Sequence, residues 1–201
     1  MTADRRLRIG GWAALLVAIA APIEVAVASI AADPDSSLNF STLTMVEVVR
    51  FLFLLVAVIG LDPLFRSLGP DLAGPVRIIG VTAASVLIVA DVASLAAIDL
   101  GTVGTVLTLV AGILAGVWFL GSGATLLRQG GDLARIGWTA QLGGLGNILT
   151  AIAVAIALTG PNGGGLTWLG WFRILGLFVM VYLVRVWSYV VRGRLPGPGI
   201  L

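Results

Sequence analysis

The sequence predicts an all-α integral membrane protein with six transmembrane helices. Hydrophobic residues make up 59% of the 201 positions and charged residues only 11%, a balance far from that of a soluble domain. Apolar runs recur along the chain, each close to or longer than the ~20 residues that a helix needs to cross a bilayer. The connecting segments are too short to hold a soluble domain. We therefore expect residues 1–201 to form one transmembrane domain.

The predicted spans are, in order, 10–31, 43–64, 76–98, 102–126, 137–159 and 167–191. The first span follows an arginine-rich segment and ends in a run of small residues, which superficially resembles a cleavable signal peptide. Its apolar segment is long for a signal peptide and contains Glu24. Its removal would also break the arginine pattern described below. We therefore expect it to be a retained helix.

The remaining spans carry their own boundary and packing signals. Asp62-Pro63 is interpreted as the stop of the second helix, and Asp71 and Asp132 as turn or capping residues before the third and fifth. Glycines spaced four apart, Gly112 and Gly116, let helices approach closely, either within a bundle or at a dimer face. Tryptophans near predicted span ends are interpreted as interfacial anchors: Trp118, Trp168, Trp171 and Trp187.

Arginine defines the predicted orientation. All arginines outside the span interiors lie before span one, in the second and fourth loops, or at the end of span six: Arg5, Arg6, Arg8, Arg66, Arg77, Arg128, Arg135, Arg185, Arg192 and Arg194. The other loops hold only acidic charges, Asp33, Asp35 and Asp99. Because positive charge is retained in the cytoplasm, we expect both termini to be cytoplasmic.

A short pattern recurs where spans one, three and five begin. An aspartate, a spacer, Arg-Ile and a glycine appear at 4–10, 71–80 and 132–137. The pattern predicts three tandem helical hairpins in parallel orientation. The alternative is coincidence, since membrane-surface turns commonly use arginine, glycine and aspartate. Residue order as well as composition is shared, which favours the repeat.

Five charged residues lie within the predicted spans and form the candidate ion- or substrate-binding set: Glu24, Glu47, Arg50, Asp91 and Arg173. A charge in hydrocarbon costs several kcal/mol unless it is paired or hydrated. Counted from the span ends at 1.5 Å per residue, all five lie roughly 10 Å below the outer surface. Three acids against two arginines leave one excess negative charge, so we expect one carboxyl to hold a proton or the cluster to recruit a cation.

Two interpretations of this charged layer stay open. In the first, the charges form a structural ion-pair network, Arg50 with Glu47 and Asp91, and Arg173 with Glu24. In the second, they form a site that binds or translocates a small ion or polar solute, with Asp91 and Glu24 holding a proton or cationic group. The second is the leading functional prediction. The alternative is a non-catalytic scaffold or accessory membrane subunit.

Missing residue types exclude several chemistries. The chain has no histidine, lysine or cysteine, so imidazole ligation of haem, a retinal-type Schiff base and thiolate metal sites are ruled out. Ser122 lies in a Gly-Ser-Gly sequence, but without histidine or lysine it has no base to activate it. We expect no enzyme activity, cofactor or metal. We also expect no nucleic-acid partner, because no basic face combines with aromatic residues.

The layout resembles a loosely defined group of small bacterial multi-span membrane proteins without an assigned biochemical role. The arginine-rich start and the turn Leu126-Leu127-Arg128 to Arg135-Ile136-Gly137 carry this resemblance, which covers most of the chain. It implies a multi-pass protein and supplies no site residues. The lysine-free composition, rich in Ala, Gly, Val and Arg, indicates a high-GC bacterium and hence the plasma membrane. Expected partners are the lipid bilayer, a small ion or polar solute, and a second copy or another membrane subunit.

Overall fold

A computed structural model describes residues 2–31, 40–159 and 169–192. Side chains are described for 2–30, 41–156 and 175–192. The described chain is helical, with six helices in order: α1 Ala3–Ala31, α2 Phe40–Leu68, α3 Pro70–Leu95, α4 Gly101–Leu127, α5 Gly131–Thr159 and α6 Leu169–Val191. Helices α1 to α5 are long and apolar enough to cross a membrane, and α6 contributes a shorter apolar stretch, Leu175–Val191. The fold is that of an all-α multi-pass membrane protein.

Helices α1 to α5 are longer than the apolar spans that hydropathy detects. Helix α1 begins at Ala3 instead of residue 10, and Arg8 lies 3.3 Å from Asp4 one turn before it. Such charged turns keep their backbone hydrogen bonds while their side chains reach water, so helical structure continues past the apolar segment.

The prediction that Asp62-Pro63 stops α2 is wrong. The helix continues through both residues to Leu68. Proline removes one backbone hydrogen bond, but the Asp62 carboxylate ties this turn to its neighbours. Its Oδ2 lies 2.7 Å from Nε of Arg66 on the next turn and 3.6 Å from Nη1 of Arg77 on α3.

Gly69 alone separates α2 from α3, and the end of α4 packs against this turn. A Cβ on Gly69 would lie 2.9 Å from Cγ2 of Thr125, so only glycine fits without displacement. Nε2 of Gln129 donates a hydrogen bond of 2.7 Å to the carbonyl oxygen of Leu68. The single-residue turn between α2 and α3 is therefore in contact with the end of a third helix.

The six helices form a closed antiparallel ring. Each helix packs against its sequence neighbours, and α1 also packs against α6. Gly10 near the start of α1 lies against Gly60 near the end of α2, and Gly11 lies against Val190 near the end of α6. Glycine thus permits close approach on both sides of α1. The proposed three-hairpin repeat stays a prediction.

We call the end of the ring where α1, α3 and α5 begin the basic end, and the other the opposite end. Arginines cluster at the basic end: Arg5, Arg6, Arg8, Arg66, Arg77, Arg128, Arg135 and Arg192. The predicted outer loops at the opposite end, 32–39 and 160–168, and the tail 193–201 lie outside the described residues.

The half of the ring near the basic end is tightly packed. Its core contains Trp118 and Phe119 of α4 and Tyr182 of α6, all at most 2% exposed. The interpretation of Trp118 as an interfacial anchor is therefore wrong. The reason is Gly80 on α3, where a Cβ would lie 2.5 Å from Cδ1 of the indole ring. Trp118 occupies the space that a side chain at position 80 would fill. The two residues are 38 positions apart in the sequence.

In the other half of the ring, α3 and α4 are loosely packed. All buried residues of α4 lie between Ala111 and Leu126, and all those of α3 between Ala73 and Leu87. None of the first ten residues of α4 is buried. The charged residues predicted as a site lie in this half.

Candidate functional site

An ion pair between α1 and α2 forms one side of the charged layer. Nη1 of Arg50 lies 2.6 Å from Oε2 of Glu24, and the two side chains are only 22% and 18% exposed. The guanidinium carbon of Arg50 also lies 4.4 Å from the ring centre of Phe51. The sequence hypothesis paired Arg50 with Glu47 and Asp91. In the structure its direct partner is Glu24, because antiparallel packing of α1 on α2 brings these two residues to the same depth.

Glu47 and Asp91 complete a cluster around this pair. Asp91 interacts electrostatically with Glu47, Arg50 and Glu24, although it lies on α3. Neither Glu47 nor Asp91 makes an ion pair within 4.0 Å in the described part of the chain. Among the described side chains, the cluster holds the carboxyl groups of Glu24, Glu47 and Asp91 and the guanidinium group of Arg50.

Asp91 faces a cavity of about 610 Å³ in the loosely packed half. The cavity is bounded by α3, the short α3–α4 connection, α4 and Val154 of α5, and its polar lining residues are Asp91, Ser94, Asp99, Thr105 and Thr108. Oδ2 of Asp91 is buried, and no donor among the described residues reaches it. A carboxylate oxygen in this position is costly unless a ligand, a proton or water satisfies it.

The cavity wall presents mostly hydrogen-bond acceptors. The hydroxyl of Thr108 donates to the carbonyl oxygen of Gly104 at 3.0 Å, and that of Thr105 to Gly101 at 3.5 Å. The backbone N–H of Gly101 donates to Oδ1 of Asp99 at 2.8 Å. These donors are engaged, while carboxylate and hydroxyl lone pairs remain available. The lining suits a ligand that carries positive charge and donates hydrogen bonds.

Between the charged layer and the basic end, packed aromatic side chains fill the interior of the ring. Phe119 meets Trp118 and Tyr182 edge to face, with ring centres 4.7 and 5.7 Å apart. The hydroxyl of Tyr182 donates to Oγ of Ser122 at 3.1 Å, and Ser122 donates to the carbonyl oxygen of Phe119 at 3.0 Å. Ser122, weighed above as a nucleophile, is a buried member of this aromatic layer.

The structure brings four of the five predicted residues into one region, Glu24, Glu47, Arg50 and Asp91. Arg173 lies on α6, but its side chain is outside the described part of the chain. Asp99 and Val154 also line the cavity and were not predicted as site residues. The position of Asp99 beside the short connection to α4 could have indicated its role, whereas nothing in the sequence indicates Val154. In the described ranges, no three His, Cys, Asp or Glu side chains are grouped to hold a metal ion.

Comparison with known proteins gives no relative: no family model, curated protein or solved structure matches this chain.

Proposed function

We propose that this multi-pass membrane protein binds and translocates a small cation, or a polar solute with a cationic group, through the cavity that Asp91 lines. The observation that carries the proposal concerns Asp91, which lines a cavity of about 610 Å³ and whose Oδ2 is buried with no donor among the described residues. Carboxylates at this depth commonly belong to ion, proton or substrate paths. The excess of carboxyl groups around Arg50 favours a cation over an anion.

The packing of the two halves supports a carrier over an open channel. The cavity lies in the loosely packed half, while Trp118, Phe119 and Tyr182 fill the interior near the basic end. A solute bound at Asp91 would reach the other side only after this aromatic layer rearranged. Such a protein would expose the cavity to one side of the membrane at a time.

The topology belongs to the same proposal. We place six spans in a bacterial plasma membrane, with the basic end and both termini in the cytoplasm, on the strength of the arginine distribution. The cavity would then open toward the outside. A second copy of the chain or another membrane subunit remains a proposed partner, and no enzymatic step is assigned.

A structural role is the second candidate, because one observation favours it. The ion pair between Arg50 and Glu24 is short and mostly buried, and it joins α1 to α2. An accessory or scaffold subunit would need such charges only to hold its helices in register.

The test is cation flux in proteoliposomes, followed with a pH-sensitive dye for protons and methylammonium and by isotope uptake for sodium and potassium. We expect wild-type protein to move at least one of these cations. Asp91→Asn should lower that flux by roughly tenfold or more while the melting temperature is kept, since the amide retains shape but loses charge. Arg50→Gln should also alter the flux. Asp71→Asn, on the same helix at the basic end, is the matched control.

Two results would contradict the proposal. If the wild-type flux of every cation is no greater than that of empty vesicles, the protein does not translocate these cations. If Asp91→Asn and Asp71→Asn show equal flux, Asp91 does not take part in translocation. If Asp91→Asn and Arg50→Gln both fail to assemble, with no separable loss of flux, the scaffold interpretation is favoured.

A further inference from the structure

A second cavity lies at the basic end, away from the charged layer. It measures about 250 Å³ and sits between α5 and α6, where its lining residues are Asp132, Arg135, Ile136, Arg185, Ser188 and Tyr189. Two guanidinium groups face one carboxylate, so the lining is net positive. It also contains two hydroxyl groups that can donate hydrogen bonds. None of these residues lines the cavity beside Asp91.

Arg185 is the unusual member of this lining. It lies in the apolar stretch Leu175–Val191, six residues before its end. At 1.5 Å per residue, that is roughly 9 Å inside the end of the helix. Its Nη1 donates to the carbonyl oxygen of Arg135 at 3.4 Å, which draws the guanidinium toward the basic end. No described carboxylate lies within ion-pair distance of it. Arginine at this depth extends toward the interface and needs a counter-charge there.

Arg135 provides a second positive charge beside it. Its Nη1 lies 3.7 Å from Oδ1 of Asp132, and its side chain is 79% exposed. Such an exposed pair is weak and can be shared with another anion. The hydrogen bond to the backbone of Arg135 positions the Arg185 guanidinium, and Arg135 lines the same cavity. Two guanidinium groups beside one groove suit a phosphate group.

The surface next to the groove is apolar. Trp138 lies one turn from Arg135 on α5 and is 61% exposed. Val181 and Val184 are exposed on the facing part of α6. A free anion would gain nothing from these side chains, whereas the acyl chains of a lipid would cover them. Exposed tryptophan at this level is typical of the interface where lipid headgroups lie.

We propose that the groove between α5 and α6 binds the phosphate of an anionic membrane lipid, with Arg135 and Arg185 as its ligands and Ser188 and Tyr189 as further donors. Basic pockets between transmembrane helices at the cytoplasmic side can hold such headgroups. The lipid would neutralise Arg185 and join α5 to α6. This site is independent of the proposed translocation.

The experiment measures the melting temperature of the full chain in an uncharged detergent. Phosphatidylglycerol, phosphatidylcholine and inorganic phosphate are added in separate arms at equal phosphate concentration. We expect phosphatidylglycerol at saturation to raise the midpoint of wild type by roughly 5 °C or more. Phosphatidylcholine should raise it less, and inorganic phosphate should have little effect.

The double variant R135Q/R185Q should lose more than half of the shift caused by phosphatidylglycerol. R128Q, which removes an exposed arginine at the same end outside the groove, should keep it. If the double variant does not fold, R135Q alone serves, because its side chain is on the surface. Equal stabilisation by inorganic phosphate would overturn the lipid assignment. An equal loss in R128Q, or equal effects of the two lipids, would overturn the site.

Discussion

At the scale of single residues, the surroundings of Arg50 determine the balance of charge in the layer. It is the one guanidinium among the described members of the cluster, and it meets Glu24 directly while Glu47 and Asp91 act on it from farther away. Removing either member of a buried pair leaves the other without compensation. The loss of stability should differ between the two residues, because removing Arg50 also increases the repulsion among three carboxyl groups.

We therefore predict that Arg50→Gln destabilises the protein more than Glu24→Gln does. Losing the arginine should cost roughly 2 to 4 kcal/mol of unfolding free energy, and losing the glutamate about 1 kcal/mol, because the latter also lowers the excess negative charge. Reversible unfolding of each variant in mixed micelles gives the two values.

The double variant Glu24→Gln with Arg50→Gln closes the thermodynamic cycle. If the pair interacts as the 2.6 Å contact indicates, the double variant should lose less stability than the sum of the singles, by about 1 kcal/mol or more. Additive losses would show that the contact contributes nothing measurable, and Arg50 would then act through Glu47 and Asp91 alone.

At the scale of helices, close approach of backbones holds α1 and α2 together. A Cβ on Gly60 would lie 2.5 Å from the Cα of Gly10, and one on Gly10 would lie 2.6 Å from the carbonyl carbon of Gly60. These atoms are backbone and cannot move aside. Because lipid gives apolar helices no hydrophobic drive to associate, such van der Waals contact is a main source of packing energy.

Gly60→Ala should lower the unfolding free energy by roughly 1 to 3 kcal/mol, since the added methyl group forces the two helices apart. Gly74→Ala is the matched control, because a Cβ there meets nothing within 4 Å. The control should be neutral, or more stable by about 0.5–1 kcal/mol from helix propensity. Equal effects of the two variants would contradict the close-packed interface.

At the scale of the whole molecule, the ring has one compact half and one loosely packed half. Five helix pairs adjacent in sequence and the pair α1 with α6 close the ring. Near the basic end, Leu7, Leu61 and Tyr182 have no exposed surface. At the opposite end, Ser94 and Thr105 are exposed along the cavity. This difference in packing predicts that water enters the ring only from the opposite end.

The chain has no cysteine, so single cysteines can report this division directly. With a membrane-impermeant thiol reagent applied from outside, Ser94→Cys in the cavity should react, and Ala84→Cys, buried on the same helix, should not. Thr2→Cys at the basic end should react only when the reagent reaches the cytoplasmic side. Labelling of whole cells and of inverted vesicles, followed by gel shift, gives the three results. Reaction of Thr2→Cys from outside would reverse the proposed topology.

Local sequence properties predicted the helical class and the approximate positions of the six helices. They also assign a depth to the charges, which stays a prediction. Glu24, Glu47, Arg50 and Asp91 could be assigned one level because hydropathy and a rise of 1.5 Å per residue are local properties. Helix ends were less well determined, as α1 and α2 show, since backbone hydrogen bonding continues where hydropathy ends.

Which of these residues meet depends on how the helices pack. Arg50 bonds to Glu24 because α1 and α2 pack antiparallel, with Gly10 against Gly60. Trp118 is buried because Gly80 on another helix leaves room for it. The cavity beside Asp91 is lined by residues of α3, of the α3–α4 connection, of α4 and of α5, which only the packing of these helices brings together. Depth follows from position along a single helix, whereas pairing, burial and empty volume depend on how helices face one another, which no one segment of the sequence encodes.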